Sequence, residues 1–313
     1  MNRGDSTIAL TNGARAREGR RAVSPRPVVA LRSAEEIAAI ARAGELAARA
    51  LDAGRTACVA GCTTADIDRA AHRAIVDGGG EALFLGYQGA NQNRVGREAY
   101  PAATCISVND ERVHGVPGAR LVREGDVVAI DVGVRLDGWC ADCATTVAVG
   151  TVDAESARLL ACGERMLDAA VGMVVPGRRW SEVARTVETI AGDAGFSVAV
   201  DFVGHGIGRE LHEAPQVPCA LNAAFLERGD FTLRPGMVLA IEPMIVSEPP
   251  ARNERGELVG PRATLSSDGW TVRVDSGARS CHFEHTIAVG RLGATVLTRS
   301  NNTVAASALR RAG

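Results

Sequence analysis

The chain has 313 residues, 46% of them hydrophobic, and its formal net charge is −2. This length and composition indicate a globular protein with a full core, arranged in one large or two modest domains. A charge so close to zero gives no electrostatic basis for binding nucleic acid or an anionic membrane surface. No apolar signal-peptide core and no run of about 18 apolar residues occurs, so we expect a cytoplasmic protein.

The N-terminal region predicts a leader followed by a helix. Residues 1–31 combine Gly, Ser, Arg and Pro without a sustained hydrophobic period, which indicates a flexible leader before a domain at 32–313. Ser33 and Glu36 have the spacing of a capping box. The apolar series after them predicts a helix that ends at Gly54.

A second helix is predicted from about Thr63 to Val76, where three glycines stop it. This turn-and-helix element recurs at an offset of 116 residues: six positions within 59–79 match positions within 175–195, with four identities and two conservative changes. The match indicates an internally duplicated α/β unit. Chance similarity in an alanine-rich chain is the alternative.

Strand periodicity follows each predicted helix pair. Residues 126–134 and 141–149 are apolar and β-branched, and the LDGW between them predicts a hairpin with an Asp-Gly turn. Residues 237–246 and 281–289 predict two further buried strands. Each of these strands carries one acidic residue inside an apolar run.

Two of the six histidines lie in the segment VGHGIGRELHE, residues 203–213. His205 and His212 are seven residues apart and glycines interrupt any helix between them, so the spacing of a helical zinc motif is absent. The glycines on both sides of His205 predict a strand or tight loop that a ligand or another backbone segment approaches closely. A glycine-rich loop with structural histidines is the alternative.

Four isolated acids on apolar strands are the strongest chemical signal. Asp131 and Asp142 are eleven residues apart, which predicts that they oppose each other in the hairpin, and Glu242 and Glu284 lie on the two later strands. Buried carboxylates cannot all remain ionised without a counter-charge. Pairing with arginine is one solution. A shared metal site that includes His205 is the other, and this donor set suits two divalent ions that activate water for hydrolysis.

Five segments together resemble the type I methionine aminopeptidases, which have the pita-bread fold. They are TCISVNDERVHGVPG (104–118), EGDVVAIDVGVRLDGWCAD (124–142), GHGIGRELHEAPQVP (204–218), RPGMVLAIEPM (234–244) and FEHTIAV (283–289). The resemblance runs in family order from about residue 31 to 299. It implies an α+β fold with internally duplicated α/β halves around a central, mostly antiparallel curved sheet.

The resemblance also implies the roles of the site residues. The five metal-ligand positions are occupied by Asp131, Asp142, His205, Glu242 and Glu284, with Asp142 and Glu284 bridging two ions of Mn, Co, Fe or Zn. Glu242 would also shuttle a proton. His114 would contact the substrate near its amine and scissile peptide, and His212 would hydrogen-bond the substrate carbonyl and stabilise the tetrahedral intermediate.

The side-chain pocket departs from the family pattern. The positions that match are Tyr87, Tyr100, Cys105 and Trp270. Phe84 replaces a small residue, Leu211 replaces an aromatic residue, and about ten residues at 90–99 have no counterpart in short family members. These changes leave a specialised paralogue with another N-terminal residue preference as an alternative.

Further departures concern His282, which stands where the family commonly has glutamine. Its ring either contacts a metal ligand and tunes that ligand, or belongs to a polar strand residue that faces away from the site. His285 is expected to be structural, and residues 248–263 predict a surface loop.

The resemblance implies removal of the N-terminal methionine from peptides and nascent proteins, by a monomer that contacts the ribosome transiently. An Xaa-Pro aminopeptidase or prolidase shares the ligands but usually carries a large additional N-terminal domain. A non-catalytic pita-bread module that binds peptides is a third alternative, and such modules typically lose metal ligands.

Overall fold

The computed structural model describes residues 28–89 and 98–299. Most of the predicted leader, residues 1–27, and most of the insertion, residues 90–97, lie outside the described residues, so the leader boundary stays a prediction. The described ranges contain four α-helices and seventeen β-strands. Among the residues that the structure describes, no helix combines the length and apolarity needed to span a bilayer.

The helices and strands have the following bounds. The helices are α1 (Ala34–Ala57), α2 (Thr64–Asp77), α3 (Ala154–Met173) and α4 (Trp180–Asp193). The first nine strands are β1 (Glu81–Ala82), β2 (Cys105–Val108), β3 (Glu111–Val113), β4 (Val127–Leu136), β5 (Trp139–Ala148), β6 (Ser197–Val198), β7 (Gly204–Gly206), β8 (Glu213–Val217) and β9 (Val238–Ile241). The remaining strands are β10 (Met244–Val246), β11 (Ala251–Arg252), β12 (Leu258–Val259), β13 (Ala263–Leu265), β14 (Val272–Val274), β15 (Ser280–His282), β16 (Glu284–Val289) and β17 (Ala294–Val296).

The predicted capping box begins α1. The Ser33 hydroxyl accepts the Glu36 N–H at 3.2 Å, and the Glu36 carboxylate accepts the Ser33 N–H at 2.9 Å. The predicted end at Gly54 is wrong, because the helix continues to Ala57. Gly54 is a buried position that faces the side chains of α2 and Ile130, so it contributes to packing rather than to termination.

The internal duplication is visible in the two short helices. Both ends of α4 lie 116 residues after the corresponding ends of α2. The turn glycines before them, Gly61 and Gly177, have φ angles of 92° and 89°. The Gly61 N–H donates to the Val122 carbonyl at 2.8 Å, and the Gly177 N–H donates to the Leu233 carbonyl at 2.9 Å. The same local structure therefore starts both halves.

A nine-stranded antiparallel sheet lies at the centre of the fold. Its path is β1-β4-β5-β16-β9-β7-β8, with β2 also on β4 and β17 also on β16. Leu46 of α1 packs in one core with Ile130 of β4, and Met166 of α3 packs in another with Ile287 of β16. Each helix pair thus covers its own half of the sheet, which confirms the predicted α+β architecture.

The β4–β5 hairpin corrects the expected pairing of its acids. Asp137 and Gly138 form the two-residue turn, with φ angles of 51° and 75°. This turn sets a register in which Asp131 pairs with Ala144, and Asp142 pairs with a glycine two residues further along β4. The two aspartates are therefore diagonal neighbours on one face, and the prediction that they oppose each other directly is wrong.

Both later strands are broken, at Glu242 and Pro243 in one and at Phe283, next to Glu284, in the other, although the sequence predicts each as continuous. β9 ends before Glu242 and β10 begins after Pro243, while β15 ends at His282 and β16 begins at Glu284. The break occurs because β10 and β15 pair with each other in a separate three-stranded sheet, whereas β9 and β16 belong to the large sheet. Glu242 and Glu284 stand where the chain passes between the two sheets.

Candidate metal centre

Five adjacent strands of the large sheet bring the five predicted ligand residues together. In the order of the sheet they are Asp131 on β4, Asp142 on β5, Glu284 on β16, Glu242 directly after β9, and His205 on β7. Each strand contributes one side chain. Residues that are up to 153 positions apart in the chain therefore meet because their strands are hydrogen-bonded neighbours.

The distances at this centre are those of a group that could hold an ion. Asp142, His205 and Glu284 are buried, and one ligand atom of each lies within 4.8 Å of the others. His205 Nε2 lies 3.6 Å from Glu242 Oε1. His205 Nδ1 lies 3.0 Å from the Gly206 carbonyl oxygen, which assigns the proton of a neutral ring to Nδ1. The Nε2 lone pair then faces the carboxylates, as a metal ligand requires.

Several polar atoms of the centre lack a hydrogen-bond partner. Among the described residues, the buried atoms Asp131 Oδ1, Asp142 Oδ1, Glu284 Oε1 and His282 Nε2 have none. No ion pair within the described part of the chain joins an arginine to any of the four acids. Arginine pairing therefore does not account for them here, and buried polar atoms that stay unsatisfied are costly and uncommon.

The pKa values describe the same imbalance of charge. Burial raises the pKa of Asp131 and of Glu284 well above the ordinary range, and the nearby Asp142 carboxylate adds to both shifts. Burial also raises the pKa of Asp142 to about 6, against the opposing effect of His205. For Glu242, burial is outweighed by His282 and His205, so its pKa is lowered. A divalent cation would compensate the carboxylates, and the mixed oxygen and nitrogen donors fit such an ion.

The structure decides between the two interpretations of His282. Its Nε2 atom lies 3.5 Å from Glu242 Oε2 and 4.0 Å from Glu284 Oε2, and its side chain is 5% exposed. The ring therefore faces the carboxylates and does not point away.

A cavity of about 340 Å³ opens beside the carboxylates. It is lined by Tyr87, Gly89, Val113, His114, Asp131, Phe202, Val203, His212, Glu242, Met244, Leu265, Trp270, Val272 and His282. The sequence indicated the histidines, the acids, Tyr87 and Trp270 at this place. It gave no signal for the apolar part of the lining, because nothing in the sequence separates these side chains from ordinary core residues. They are Val113, Phe202, Met244 and Leu265.

The two predicted substrate-contacting histidines have distinct surroundings. His212 Nδ1 lies 3.0 Å from the Tyr87 hydroxyl, and the His212 ring meets the His205 ring edge-on with centroids 4.4 Å apart. Burial, and then His205, lower the pKa of His212 to about 4, so this ring is neutral at pH 7. His114 has a φ angle of 57° and packs edge-on against Phe202 at 5.3 Å.

Four predicted pocket residues lie behind the cavity wall rather than in its lining. Phe84, Tyr100, Cys105 and Leu211 are buried together in one apolar cluster that also includes Trp270. The Tyr100 hydroxyl donates to a backbone carbonyl at 2.8 Å. Cys105 pairs with Asp131 in the sheet, so the cluster adjoins the carboxylates. These residues support the wall from behind.

Comparison with known proteins places the chain in a family. The sequence profile of metallopeptidase family M24 matches residues 38–291, well over half of the chain. The chain belongs to metallopeptidase family M24. This M24 chain is 37% identical over 239 residues to Methionine aminopeptidase 1 of Bacillus subtilis (strain 168), which covers 76% of this chain and 86% of that relative.

Solved structures of the family share the fold. The methionine aminopeptidase of Thermotoga maritima superimposes with a TM-score of 0.76 at 35% identity, over 87% of this M24 chain and all of that chain. The prolidase of Pyrococcus furiosus gives a TM-score of 0.63 at 20% identity, over 87% of this chain and 66% of that one. The second likeness concerns the fold alone. Together they confirm the predicted pita-bread fold.

Proposed function

We propose that this protein removes the N-terminal methionine from peptides and newly made proteins, as a dinuclear metal aminopeptidase. The observation that carries the proposal is the group of unpaired carboxylate oxygens next to a cavity lined by three further histidines. The similarity to named methionine aminopeptidases supports the substrate class.

The metal would be held by Asp131, Asp142, His205, Glu242 and Glu284, with Asp142 and Glu284 shared between two ions. A bound divalent ion lowers the pKa of its water ligand and polarises the substrate carbonyl. Mn, Co, Fe and Zn all accept this mixture of carboxylate and imidazole donors. The native ion is therefore a matter for experiment.

The side chains around the cavity supply the remaining chemistry. When the Tyr87 hydroxyl donates to His212 Nδ1, the proton of the neutral His212 ring sits on Nε2. Nε2–H can then donate to the scissile carbonyl oxygen, where negative charge develops. His114 lies on the cavity wall, where it would contact the substrate amine and first peptide group.

Glu242 is suited to proton transfer. Its lowered pKa keeps the carboxylate ionised near neutral pH, so an oxygen of Glu242 can accept a proton from the attacking water and donate it to the leaving amine nitrogen. The same carboxylate faces His205 through Oε1 and His282 through Oε2. These contacts on both oxygens orient the Glu242 carboxylate between the other proposed ligands and the cavity.

Selectivity for methionine would come from the apolar part of the cavity. Tyr87 and Trp270 form part of its lining, while Phe84 and Leu211 support that wall from behind. An unbranched thioether side chain adapts well to such an irregular apolar surface. A change of one methylene in the substrate is expected to alter kcat/KM by about 10- to 200-fold.

The test uses metal-stripped protein reconstituted separately with Mn, Co, Fe or Zn, and tripeptides that differ only in the first residue. We expect methionine release that depends on metal in the wild type and in Asp77→Asn, an exposed carboxylate at the end of α2, but no release in Asp142→Asn. Release of another residue in preference to methionine would support the specialised paralogue. No cleavage of any peptide would support the binding module.

We also propose that the protein acts as a monomer in the cytoplasm and meets its substrates at the ribosome by transient contact. Light scattering after size exclusion tests the monomer, and co-sedimentation with ribosomes tests the contact. A stable dimer, or no enrichment with ribosomes that carry nascent chains, would contradict the respective statement.

A further inference from the structure

His212 lies on residues 207–212, the short segment that joins β7 to β8. Among the backbone hydrogen bonds of the described residues, one closes within this segment, from the Gly208 N–H to the Glu210 carbonyl at 3.2 Å. Contacts with neighbouring groups must therefore determine where the His212 ring stands.

Strand neighbours supply some of these contacts: the Gly208 carbonyl accepts the Cys140 N–H at 2.7 Å, and the Ile207 N–H donates to the Val238 carbonyl at 3.2 Å. The Tyr87 hydroxyl lies 3.0 Å from His212 Nδ1. A carboxylate and a guanidinium add further contacts to the segment.

The carboxylate is that of Glu213, the residue after His212. Its Oε1 atom accepts the backbone N–H of Arg209 at 2.8 Å and that of Glu210 at 3.2 Å. Its Oε2 atom accepts a hydrogen bond from Arg32 Nη2. The side chains of Arg32 and Glu213 are 12% and 19% exposed, so the ion pair is shielded from water and is stronger than a surface pair.

The guanidinium of Arg32 also packs against the segment itself. A Cβ atom at Gly208 would lie 2.3 Å from Arg32 Nη2, so glycine is needed for the guanidinium to lie this close to the backbone. The Arg32 and Arg209 guanidinium groups both lie over the Trp139 ring, at 5.3 Å and 3.7 Å from its centroid. Glu213 offsets the repulsion between the two cations.

The backbone of Arg32 is fixed independently of this cluster. Its N–H donates to the Gly236 carbonyl at 2.7 Å, just before β9. Ser33, the next residue, is the N-cap of α1. Arg32 is thus held by rigid elements on both sides, and its side chain extends from that anchor to the segment that carries His212.

We infer that Arg32 is a positioning residue for catalysis, which fixes residues 207–212 so that the His212 ring stands at the cavity. The inference rests on the proposed role of His212 at the substrate carbonyl. Since that interaction matters most in the transition state, loss of Arg32 should lower kcat more than it raises KM. A displacement of about 1 Å in a group that orients the reaction can cost about 10²-fold in rate.

The kinetic test compares Arg32→Ala, Arg32→Lys and the control Arg73→Ala, whose side chain is 83% exposed on α2. We expect kcat of Arg32→Ala to fall by about 10- to 100-fold with a much smaller change in KM. Lysine should restore only part of this loss, because it can pair with Glu213 but cannot present a planar guanidinium to Trp139. Millimolar guanidinium chloride should partly restore kcat in Arg32→Ala alone.

Two measurements separate positioning from general damage. Hydrogen exchange of Arg32→Ala should accelerate in peptides that cover residues 207–213 and stay unchanged in α2, while the content of bound metal matches the wild type. Unchanged kcat in Arg32→Ala, or a loss without guanidinium rescue and without faster exchange at 207–213, would overturn the inference. A wild type that releases no methionine would instead contradict the proposed function, and the exchange result would still decide whether Arg32 fixes the segment.

Discussion

Carboxylates are buried in two regions of this molecule, and the two regions treat them in opposite ways. At the start of α4, the Asp230 carboxylate is 3% exposed and accepts from the Ser181 N–H at 3.0 Å, the Ser181 hydroxyl at 2.6 Å and Arg179 Nε at 2.8 Å. Burial would raise its pKa, but these donors outweigh burial and lower it. In the centre of the sheet, Asp142 and Glu284 are buried, each has an oxygen without a donor among the described residues, and both have raised pKa values.

The contrast separates a structural carboxylate from a functional one. The fold supplies a hydroxyl, an amide and a guanidinium where a carboxylate only has to hold a helix start in place. Among the described residues, it supplies no such set of donors to Asp142 and Glu284, whose ionised forms are unfavourable until a cation binds. The missing partners, together with deep burial, mark the functional site.

The largest expected effect is that of Asp142→Asn. Loss of this proposed ligand should remove metal stabilisation of several kcal/mol from the transition state, which corresponds to a fall of about 10²- to 10⁴-fold in kcat/KM. The free energy of unfolding of the metal-free protein should stay equal or rise, because one of several crowded negative charges is gone. Steady-state kinetics and urea titration measure the two quantities. A less stable metal-free variant would contradict the comparison.

Next in size is His212→Ala. Removal of this proposed donor to the developing oxyanion should lower kcat by about 10²- to 10³-fold. Metal content should be retained, because His212 is not among the proposed ligands. His72→Ala on α2 is the matched control and should keep wild-type kcat. A loss of metal in His212→Ala would show that this ring belongs to the ligand set instead.

A smaller effect is expected at His282, whose Nε2 atom faces two of the carboxylates at 3.5 and 4.0 Å without donating a hydrogen bond of normal geometry to either. His282→Ala should weaken metal binding by about 10- to 100-fold, because groups that orient ligands contribute on that scale. His282→Gln should retain more of the affinity, since an amide can donate to Glu242. Equal affinity of all three proteins, measured by calorimetry, would remove His282 from the centre.

Substitution of the structural carboxylate of Asp230 should affect stability and not activity. Asp230→Asn weakens the acceptor for Ser181 and Arg179, and we expect the free energy of unfolding to fall by about 1–3 kcal/mol. The kcat and the metal content of the folded variant should match the wild type. Denaturant unfolding with a parallel assay checks both. A large loss of kcat in the folded variant would contradict the separation of the two regions.

The last expected effect is a dependence of the free energy of unfolding on pH. In the metal-free protein, folding raises the pKa of Asp142 from 3.8 to about 6. This group therefore stabilises the fold fully below its unfolded pKa, and that contribution is lost as pH rises through about 6. Asp230 has the opposite sign, since its lowered pKa makes its contribution fall as the solution becomes acidic. Thermal unfolding should be measured from acid to neutral pH, with and without metal. The loss of stability that comes from Asp142 as pH rises should appear only without metal.

Local signals in the sequence predicted much of the fold. The capping box at Ser33, the glycine stop after α2 and the Asp-Gly turn of the hairpin depend on neighbouring residues alone, and each is present. The repeat at an offset of 116 residues was a weak match in sequence, yet the backbone repeats the same turn and helix. These features need no information about distant contacts.

Other features depend on tertiary contacts and could not be predicted. The breaks at Glu242 and at Phe283 arise because the flanking strands join different sheets, and the apolar run conceals this. The register of Asp131 against Asp142 depended on which two residues form the turn, so an error of one position changed the pairing. The link from Arg32 to Glu213 spans 181 residues and has no periodic signal.

The central claim is that the unpaired carboxylates of the sheet hold divalent ions. Calorimetric titration of metal-free protein with Co(II), in two buffers that differ in ionisation enthalpy, tests it most directly. We predict saturable binding of two ions per chain with release of protons, because carboxyl groups with raised pKa values must lose theirs to bind metal. No saturable binding, or the same binding in Asp142→Asn as in the wild type, would contradict the account.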